Sequence, residues 1–197
     1  FITANPEQYV KHIQSDKHEK APVRIIYHDN NRADAFLKAL QKISQIDTTA
    51  NILVLGRNRH DIDCILTPEI KLDEYGNIHY AQFSQMNILY KTVHQSKGLE
   101  RDYVILISGE NARNGFPNKM ENDRLLDLLL GDKSSFEFSE ERRLFYVALT
   151  RTRSIVFILC NKQSPSDFVK EIEEKVKIEN PELLQRNHAD YFCPRCK

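Results

Sequence analysis

The stretch NILYKTVHQSKGLE, residues 87–100, predicts a buried β-strand that ends in a polar turn containing a glycine. Short apolar runs bounded by turn residues are typical of strands that are covered on both faces of a sheet. Further runs of this kind occur at residues 23–27, 51–55, 103–107 and 155–160. Helical periodicity lies between them at 33–43, 124–130 and 139–151, and follows at 164–176. Asn30 or Asn31 is the predicted cap of the first of these helices and Ser139 that of the third, and residues 73–77 predict a turn between two short strands. This alternation predicts an α/β fold, a three-layer domain with a mostly parallel sheet.

The chain has 197 residues, which is enough for one main domain and little more. We assign this domain to residues 23–187. Residues 1–22 are polar and punctuated by prolines, which indicates an arm or linker from a preceding domain. Residues 188–197 carry a separate cysteine pair and are treated as a third segment.

Composition limits the classes of partner. Lys+Arg and Asp+Glu both number 28, so the net charge is zero and a dominant basic patch is not expected. Nucleic-acid binding would therefore depend on a few placed contacts rather than on bulk charge. No stretch approaches the roughly 18 apolar residues of a membrane span, so we expect no membrane partner. Four cysteines are too few for a disulfide scaffold, which favours a cytoplasmic location.

The sequence lacks a phosphate-binding P-loop. Such a loop ends in Gly-Lys-Ser/Thr, and none of the six glycines is followed by lysine. A carboxylate pair that would hold magnesium after a strand is not recognisable either. The chain is therefore not expected to hydrolyse a nucleotide alone.

Two arginines occupy positions from which a cation could assist phosphoryl transfer. Arg151 closes a predicted helix, and Arg57 lies on the loop after a predicted strand. Both have simpler interpretations that remain open at this point. Arg151 could neutralise the carboxyl end of its own helix, and Arg57 could be a solvated loop charge.

Three segments resemble motifs of UvrD/Rep-like DNA helicases, most closely the helicase IV branch. TVHQSKGLE at 92–100 and SEERRLFYVALTR at 139–151 resemble the fifth and sixth motifs, and LVLGRN at 53–58 is similar to the fourth. The resemblance implies a second RecA-like, P-loop NTPase-like domain that lacks its own P-loop. It implies the C-terminal motor domain of an ATP-dependent 3′–5′ DNA helicase, an ATP hydrolase that is inactive as a fragment. The N-terminal RecA-like domain of the same protein would supply the P-loop and the Mg²⁺ ligands.

The resemblance also implies residues that bind ATP. Arg57 and Arg151 match the catalytic arginines that contact the γ-phosphate, while Gly98 and Glu100 match residues that approach the nucleotide. Gly56 stands where many relatives carry an aromatic residue that packs on adenine, so this contact is not carried over.

Single-stranded DNA is the other implied partner. Thr92 and His94 match residues that face the strand, and a hydroxyl and an imidazole can bind phosphate oxygens without sequence preference. The stretch GFP at 115–117 is similar to a family element near the DNA path, which implies that Phe116 packs on a base. The alternative for Phe116 is ordinary loop packing.

The cysteine pair in YFCPRCK, residues 191–197, supplies half of a zinc-ribbon ligand set. It resembles the start of the C4 zinc finger of bacterial type I topoisomerases. Cys193 and Cys196 would then bind Zn²⁺ only in a longer parent chain. Two free thiols are the alternative for this chain by itself.

Two other functions are compatible with the same motifs. One is the motor part of an ATP-dependent nuclease complex. The other is a non-hydrolysing module that contacts nucleic acid or protein. The presence of Arg57, Glu100 and Arg151 argues against the second alternative, because such a module has no need of them.

Overall fold

The computed structural model describes residues 22–111, 115–118 and 138–179, and side chains as far as Lys175. The elements are β1 (Val23–His28), α1 (Arg32–Ser44), β2 (Asn51–Gly56), β3 (Lys71–Leu72), β4 (Ile78–His79), β5 (Asn87–Thr92), β6 (Arg101–Leu106), α2 (Ser139–Leu149), β7 (Thr152–Asn161) and α3 (Asp167–Glu179). Short 3₁₀ segments cover Arg59–Cys64, Ala81–Phe83 and His94–Ser96. The predicted arm before residue 22, a helical stretch predicted at 124–130 and the cysteine pair near the end lie outside the described residues.

Within these residues, five strands form one sheet in the order β1-β7-β6-β2-β5. Every neighbouring pair in this sheet is parallel. The short strands β3 and β4 form a separate antiparallel hairpin, as the turn at residues 73–77 predicts. The predicted α/β fold with a mostly parallel sheet is therefore confirmed.

Helices cover both faces of the sheet and make three layers. Alternate residues of a strand point to opposite faces, so Ile52 and Leu53 enter different cores. The core on the α1 face includes Phe36, Leu40 and Ile43, and the core on the other face includes Phe145 from α2 and Phe168 and Ile172 from α3. Burying each such side chain contributes about 1.5–3 kcal/mol. Within the described residues, no helix is both long enough and apolar enough to cross a membrane.

The two predicted helix starts differ in outcome. Of the two candidate caps Asn30 and Asn31, it is Asn31 that caps α1, because its side chain accepts the Asp34 backbone N–H at 3.0 Å. Ser139 was predicted to cap α2 but is instead its first helical residue. The reason is that Phe138 adopts a left-handed backbone with φ of 55°, and this residue turns the chain into the helix.

Packing requires glycine at the end of β2. A Cβ atom on Gly56 would lie 2.5 Å from Tyr90 Oη and 2.9 Å from Asp61 Cβ. The Tyr90 hydroxyl donates to Asn58 O at 2.6 Å, and burial raises the pKa of Tyr90 so that the hydroxyl stays protonated. The space beside Gly56 is therefore filled by Tyr90, and no larger side chain fits there.

We expect Gly56→Ala to lower the free energy of unfolding by about 1–3 kcal/mol, the usual cost of overpacking. The loss should be smaller in a Tyr90→Phe background, because that change removes the nearest clashing atom. Urea denaturation of the two single variants and the double variant measures this coupling. Gly98→Ala is the control, since its Cβ would meet no atom within 4 Å, and its cost should be the same with Tyr90 or Phe at position 90.

Candidate functional site

The predicted site residues lie at two opposite edges of the parallel sheet. The carboxyl edge, where strands end, carries Arg57 after β2 and His94 after β5. The amino edge, where strands begin, carries Glu100 before β6 and Arg151 before β7. Segment 92–100 therefore crosses from the carboxyl edge to the amino edge.

At the carboxyl edge, Arg57 forms a two-point ion pair with Glu141 in the first turn of α2. Arg57 Nη2 lies 2.6 Å from Glu141 Oε1, and Arg57 Nε donates to Glu141 Oε2 at 3.3 Å. Only 14% and 17% of the two side chains are exposed. The Asn118 backbone N–H also donates to Glu141 Oε2, at 3.1 Å. Arg57 is therefore not a solvated loop charge.

Asp61 holds the backbone that carries Arg57. Its Oδ2 accepts the Arg57 N–H at 2.7 Å, the Asn58 N–H at 3.0 Å and the Ser108 hydroxyl at 2.6 Å. Neither Asp61 nor Glu141 was predicted as a site residue. The sequence signal for each residue was its position in a first helical turn, Asp61 in the 3₁₀ segment after β2 and Glu141 in α2. A carboxylate at such a position also suits the helix dipole, so it does not by itself indicate a site.

The Phe116 ring, which the family resemblance places near the DNA path, does not face solvent in this structure. The ring is 0% exposed and packs edge-on against Phe145, with the ring centroids 5.2 Å apart. The Arg57 guanidinium lies 5.9 Å from the Phe116 centroid. Burial of this kind favours the loop-packing alternative, and packing of the ring on a base stays a prediction.

Thr92 and His94 differ in accessibility. Thr92 is 8% exposed, and its hydroxyl oxygen accepts the Gln95 N–H at 3.3 Å. Gln95 Oε1 accepts the Thr92 N–H at 3.2 Å in return. His94 is exposed at the start of the 3₁₀ segment that follows. Thr92 stabilises this turn, and His94 is the side chain that the turn presents to solvent.

At the amino edge, Gly98 and Glu100 lie in an open position. Gly98 has φ of 82°, which side-chain-bearing residues rarely adopt, and a Cβ built there meets no atom within 4 Å. Glu100 is exposed, and its carboxylate lies 3.6 Å from Arg153 Nε. The protein itself leaves room beside Gly98, so the backbone there is accessible to a ligand.

Arg151 lies at the same edge and contacts its own helix. Its Nε donates to Val147 O at 3.1 Å, and Nη2 donates to Thr150 Oγ1 at 3.3 Å. The side chain is half-buried. This geometry matches the helix-terminus interaction that the sequence left open for Arg151. The Arg101 N–H donates to Arg151 O at 3.1 Å and fixes the backbone at the start of β6.

The two arginines predicted to share one γ-phosphate are not brought together. Strand β6 and the two residues after it run between the two positions. The Arg101 N–H donates to Arg151 O at one edge, and Ser108 Oγ accepts the Arg57 N–H at the other. Seven residues at about 3.3 Å each give a distance of roughly 23 Å along the sheet. Arg57 lies at the same edge as the His94 turn, and Arg151 lies at the same edge as Gly98 and Glu100.

Metal binding is not apparent in the described part of the chain, where no group of three or more His, Cys, Asp or Glu residues could hold an ion. Cys193 and Cys196 lie outside the described residues. Zinc binding by these cysteines therefore stays a prediction.

The chain is similar to known helicase sequences. Residues 66–163 match the family model described as the UvrD-like helicase C-terminal domain. DNA helicase IV of Escherichia coli (strain K12) is 33% identical over 171 residues, which cover 86% of this chain and 23% of that protein. The "Probable DNA helicase II homolog" of Mycoplasma pneumoniae is 35% identical over 105 residues, which cover 50% of this chain and 13% of that protein.

A solved structure is also similar, the C-terminal domain of a possible DNA helicase from Lactobacillus plantarum WCFS1. It has a TM-score of 0.48 and 14% sequence identity, and the match covers 74% of this chain and 77% of that chain. The present chain spans less than a quarter of the length of either sequence relative.

We expect Asp61→Ala to lower the free energy of unfolding by about 1–3 kcal/mol, because three donors lose their acceptor. The measurement is urea denaturation of the purified protein. The matched control is Asp63→Ala, two residues away, whose carboxylate is 65% exposed and pairs only loosely with His60 at 3.6 Å. Equal losses in the two variants would contradict the role assigned to Asp61.

Proposed function

The chain belongs to the family of UvrD-like helicase C-terminal domains, and on this premise we propose that it is the second motor domain of an ATP-dependent DNA helicase. The motor would move 3′ to 5′ on single-stranded DNA. The N-terminal RecA-like domain of the same protein would complete the nucleotide site. We assign DNA binding to the carboxyl edge of the sheet and nucleotide binding to the amino edge.

The observation that carries this proposal is the division of segment 92–100 between the two edges. Its first part exposes His94 at the carboxyl edge, and its last part leaves Gly98 and Glu100 open at the amino edge. Eight residues, 93–100, join β5 to β6 and connect the two positions. A movement of the backbone at one of these positions is therefore transmitted to the other through a short connection that is partly hydrogen-bonded.

The amino edge fits one half of an ATP site. ATP supplies the free energy for movement when its γ-phosphate is hydrolysed. Gly98 lets the backbone approach the nucleotide, and Glu100 accepts a hydrogen bond from a ribose hydroxyl. The Arg151 guanidinium neutralises charge on the γ-phosphate. To reach a phosphate, Arg151 exchanges its bonds to Val147 O and Thr150 Oγ1 for stronger bonds to an anion. Mg²⁺ ligands are assigned to the other domain.

Arg57 is assigned to the DNA side in this proposal, in place of the γ-phosphate contact that family resemblance implies. A γ-phosphate contact shared with Arg151 would have to bridge backbones that lie roughly 23 Å apart, and Arg57 would have to leave its ion pair with Glu141. Its position beside the His94 turn requires no such movement. Arg57 follows Gly56, which is in register with Thr92 in the β2–β5 pair.

Single-stranded DNA binding by this domain relies on few charges. The exposed His94 donates a hydrogen bond to a phosphate oxygen, and the neighbouring exposed Lys97 adds a positive charge. Because the chain has no net charge, these local contacts supply most of its attraction for the strand. A small number of phosphate contacts also predicts a shallow dependence of the affinity on salt.

We expect Arg151→Ala in the full-length protein to lower kcat for DNA-stimulated ATP hydrolysis by about a hundredfold or more, with KM changed far less. The matched control is Arg143→Ala, which removes an arginine of α2 that is 68% exposed and pairs with Glu140 at 3.9 Å. This control should retain nearly full kcat. Equal activity in the two variants would restrict Arg151 to capping α2.

The chain by itself is expected to show no ATP hydrolysis above background, because the P-loop and the Mg²⁺ ligands belong to the other domain. A coupled phosphate-release assay with and without single-stranded DNA measures this. Turnover that co-purifies with the chain would contradict the half-site assignment.

A further inference from the structure

Glu141 connects the DNA side of the domain to the helix that leads to Arg151. We propose that Glu141 is a positioning residue, which fixes the first turn of α2 against Arg57 and thereby sets the place of Arg151 at the opposite edge. This inference rests on the proposed function, because it assigns Arg151 to the nucleotide. It adds a physical connection between the two edges.

The ion pair at the first turn is suited to this task. Glu141 receives three hydrogen bonds, two from Arg57 and one from the Asn118 N–H. Its carboxylate and the guanidinium are both largely withdrawn from water. A two-point pair of this kind has fixed geometry, unlike an exposed pair between two mobile side chains. Removing one partner leaves a buried charge without compensation.

Aromatic packing adds a second connection at the same place. The Phe116 ring lies next to the Arg57 guanidinium and contacts Phe145, one helical turn beyond Glu141. Both rings are fully buried. We call Arg57, Phe116, Glu141 and Phe145 the α2 clamp. Because the clamp joins the loop after β2 to the helix at two successive turns, a movement of Arg57 also moves α2.

The helix itself can carry that movement to the amino edge. α2 has 11 residues, which span about 16 Å at 1.5 Å per residue. Its sequence contains no glycine or proline, so it lacks the usual causes of a kink. Arg142 anchors the same end to α3 by pairing with Glu171 and packing on Phe168, 4.9 Å from the ring centroid. The chain continues from α2 through Thr150 directly into Arg151.

The four charged residues at the start of α2 divide into two classes. Glu141 and Arg142 point inward to partners that are distant in sequence. Glu140 and Arg143 are 85% and 68% exposed, and among the residues that the structure describes they pair with each other at 3.9 Å. Glu140 is therefore a matched control, with the same side chain one position away and largely exposed to solvent.

The test compares Glu141→Gln, Glu140→Gln and Arg151→Ala in the full-length protein. Glutamine keeps the size of the side chain but removes its charge and one of its two acceptor oxygens. We expect Glu141→Gln to lower kcat for DNA-stimulated ATP hydrolysis at least tenfold, with KM for ATP and Kd for single-stranded DNA within about threefold of wild type. Glu140→Gln should match wild type in all three quantities.

A second readout does not depend on hydrolysis. Hydrogen–deuterium exchange, followed by mass spectrometry, reports the backbone amides of the last turn of α2 at residues 146–150. With Glu141→Gln these amides should exchange several-fold faster than in the Glu140→Gln protein. If Glu141→Gln does not fold, Arg57→Lys serves instead, because lysine keeps the charge but cannot make the two-point pair. The same increase in exchange is expected for it.

The outcomes separate this inference from the proposed function. If Arg151→Ala abolishes turnover while Glu141→Gln behaves like Glu140→Gln in both readouts, the proposed function stands and the role of Glu141 is overturned. If Arg151→Ala hydrolyses ATP normally, the role proposed for Arg151 fails, and the inference fails with it. Reduced kcat together with faster exchange in α2, only in the clamp variants, supports the inference.

Discussion

All strands of a parallel sheet begin at the same edge. After each strand the chain must therefore return along the full strand length before the next strand can begin. This constraint determines the shape of the domain and the placement of its motifs. Residues 93–100 make the return from β5 to β6, and α2 makes the return that leads into β7. The two segments most similar to helicase motifs are thus return paths, with one end at each edge. A motif of this kind can contact two different ligands without being long.

The separation of the edges also explains the chemistry at each. The carboxyl edge is closely packed, with Arg57 paired to Glu141 and Phe116 buried beneath it. The amino edge is more open, with space beside Gly98 and an Arg151 side chain whose hydrogen bonds are made within its own helix terminus. A buried guanidinium requires a fixed anion, whereas one at a helix end can exchange a carbonyl for a phosphate. The edge assigned to the nucleotide is the one whose arginine is easier to release.

The carboxyl edge is supported by groups that contact no ligand in the proposed function. Asp61 orders the loop that carries Arg57, Thr92 and Gln95 close the turn before His94, and Glu141 fixes the start of α2. Such residues determine where the contacting side chains lie. In a chain without net charge, placement matters more than the number of basic residues.

Local patterns were sufficient for the helices and strands, since apolar runs predicted the five sheet strands and helical periodicity predicted α1, α2 and α3. Residue type narrowed the cap of α1 to Asn30 or Asn31. These features depend on neighbours within a few residues, which the sequence by itself determines. Tertiary structure alone decided that Arg57 pairs with Glu141, 84 positions away, and that Phe116 is buried. Such outcomes depend on which strands become neighbours, and that order is not local information. The sequence therefore determined the chemical groups available, and the parallel sheet decided which of them meet.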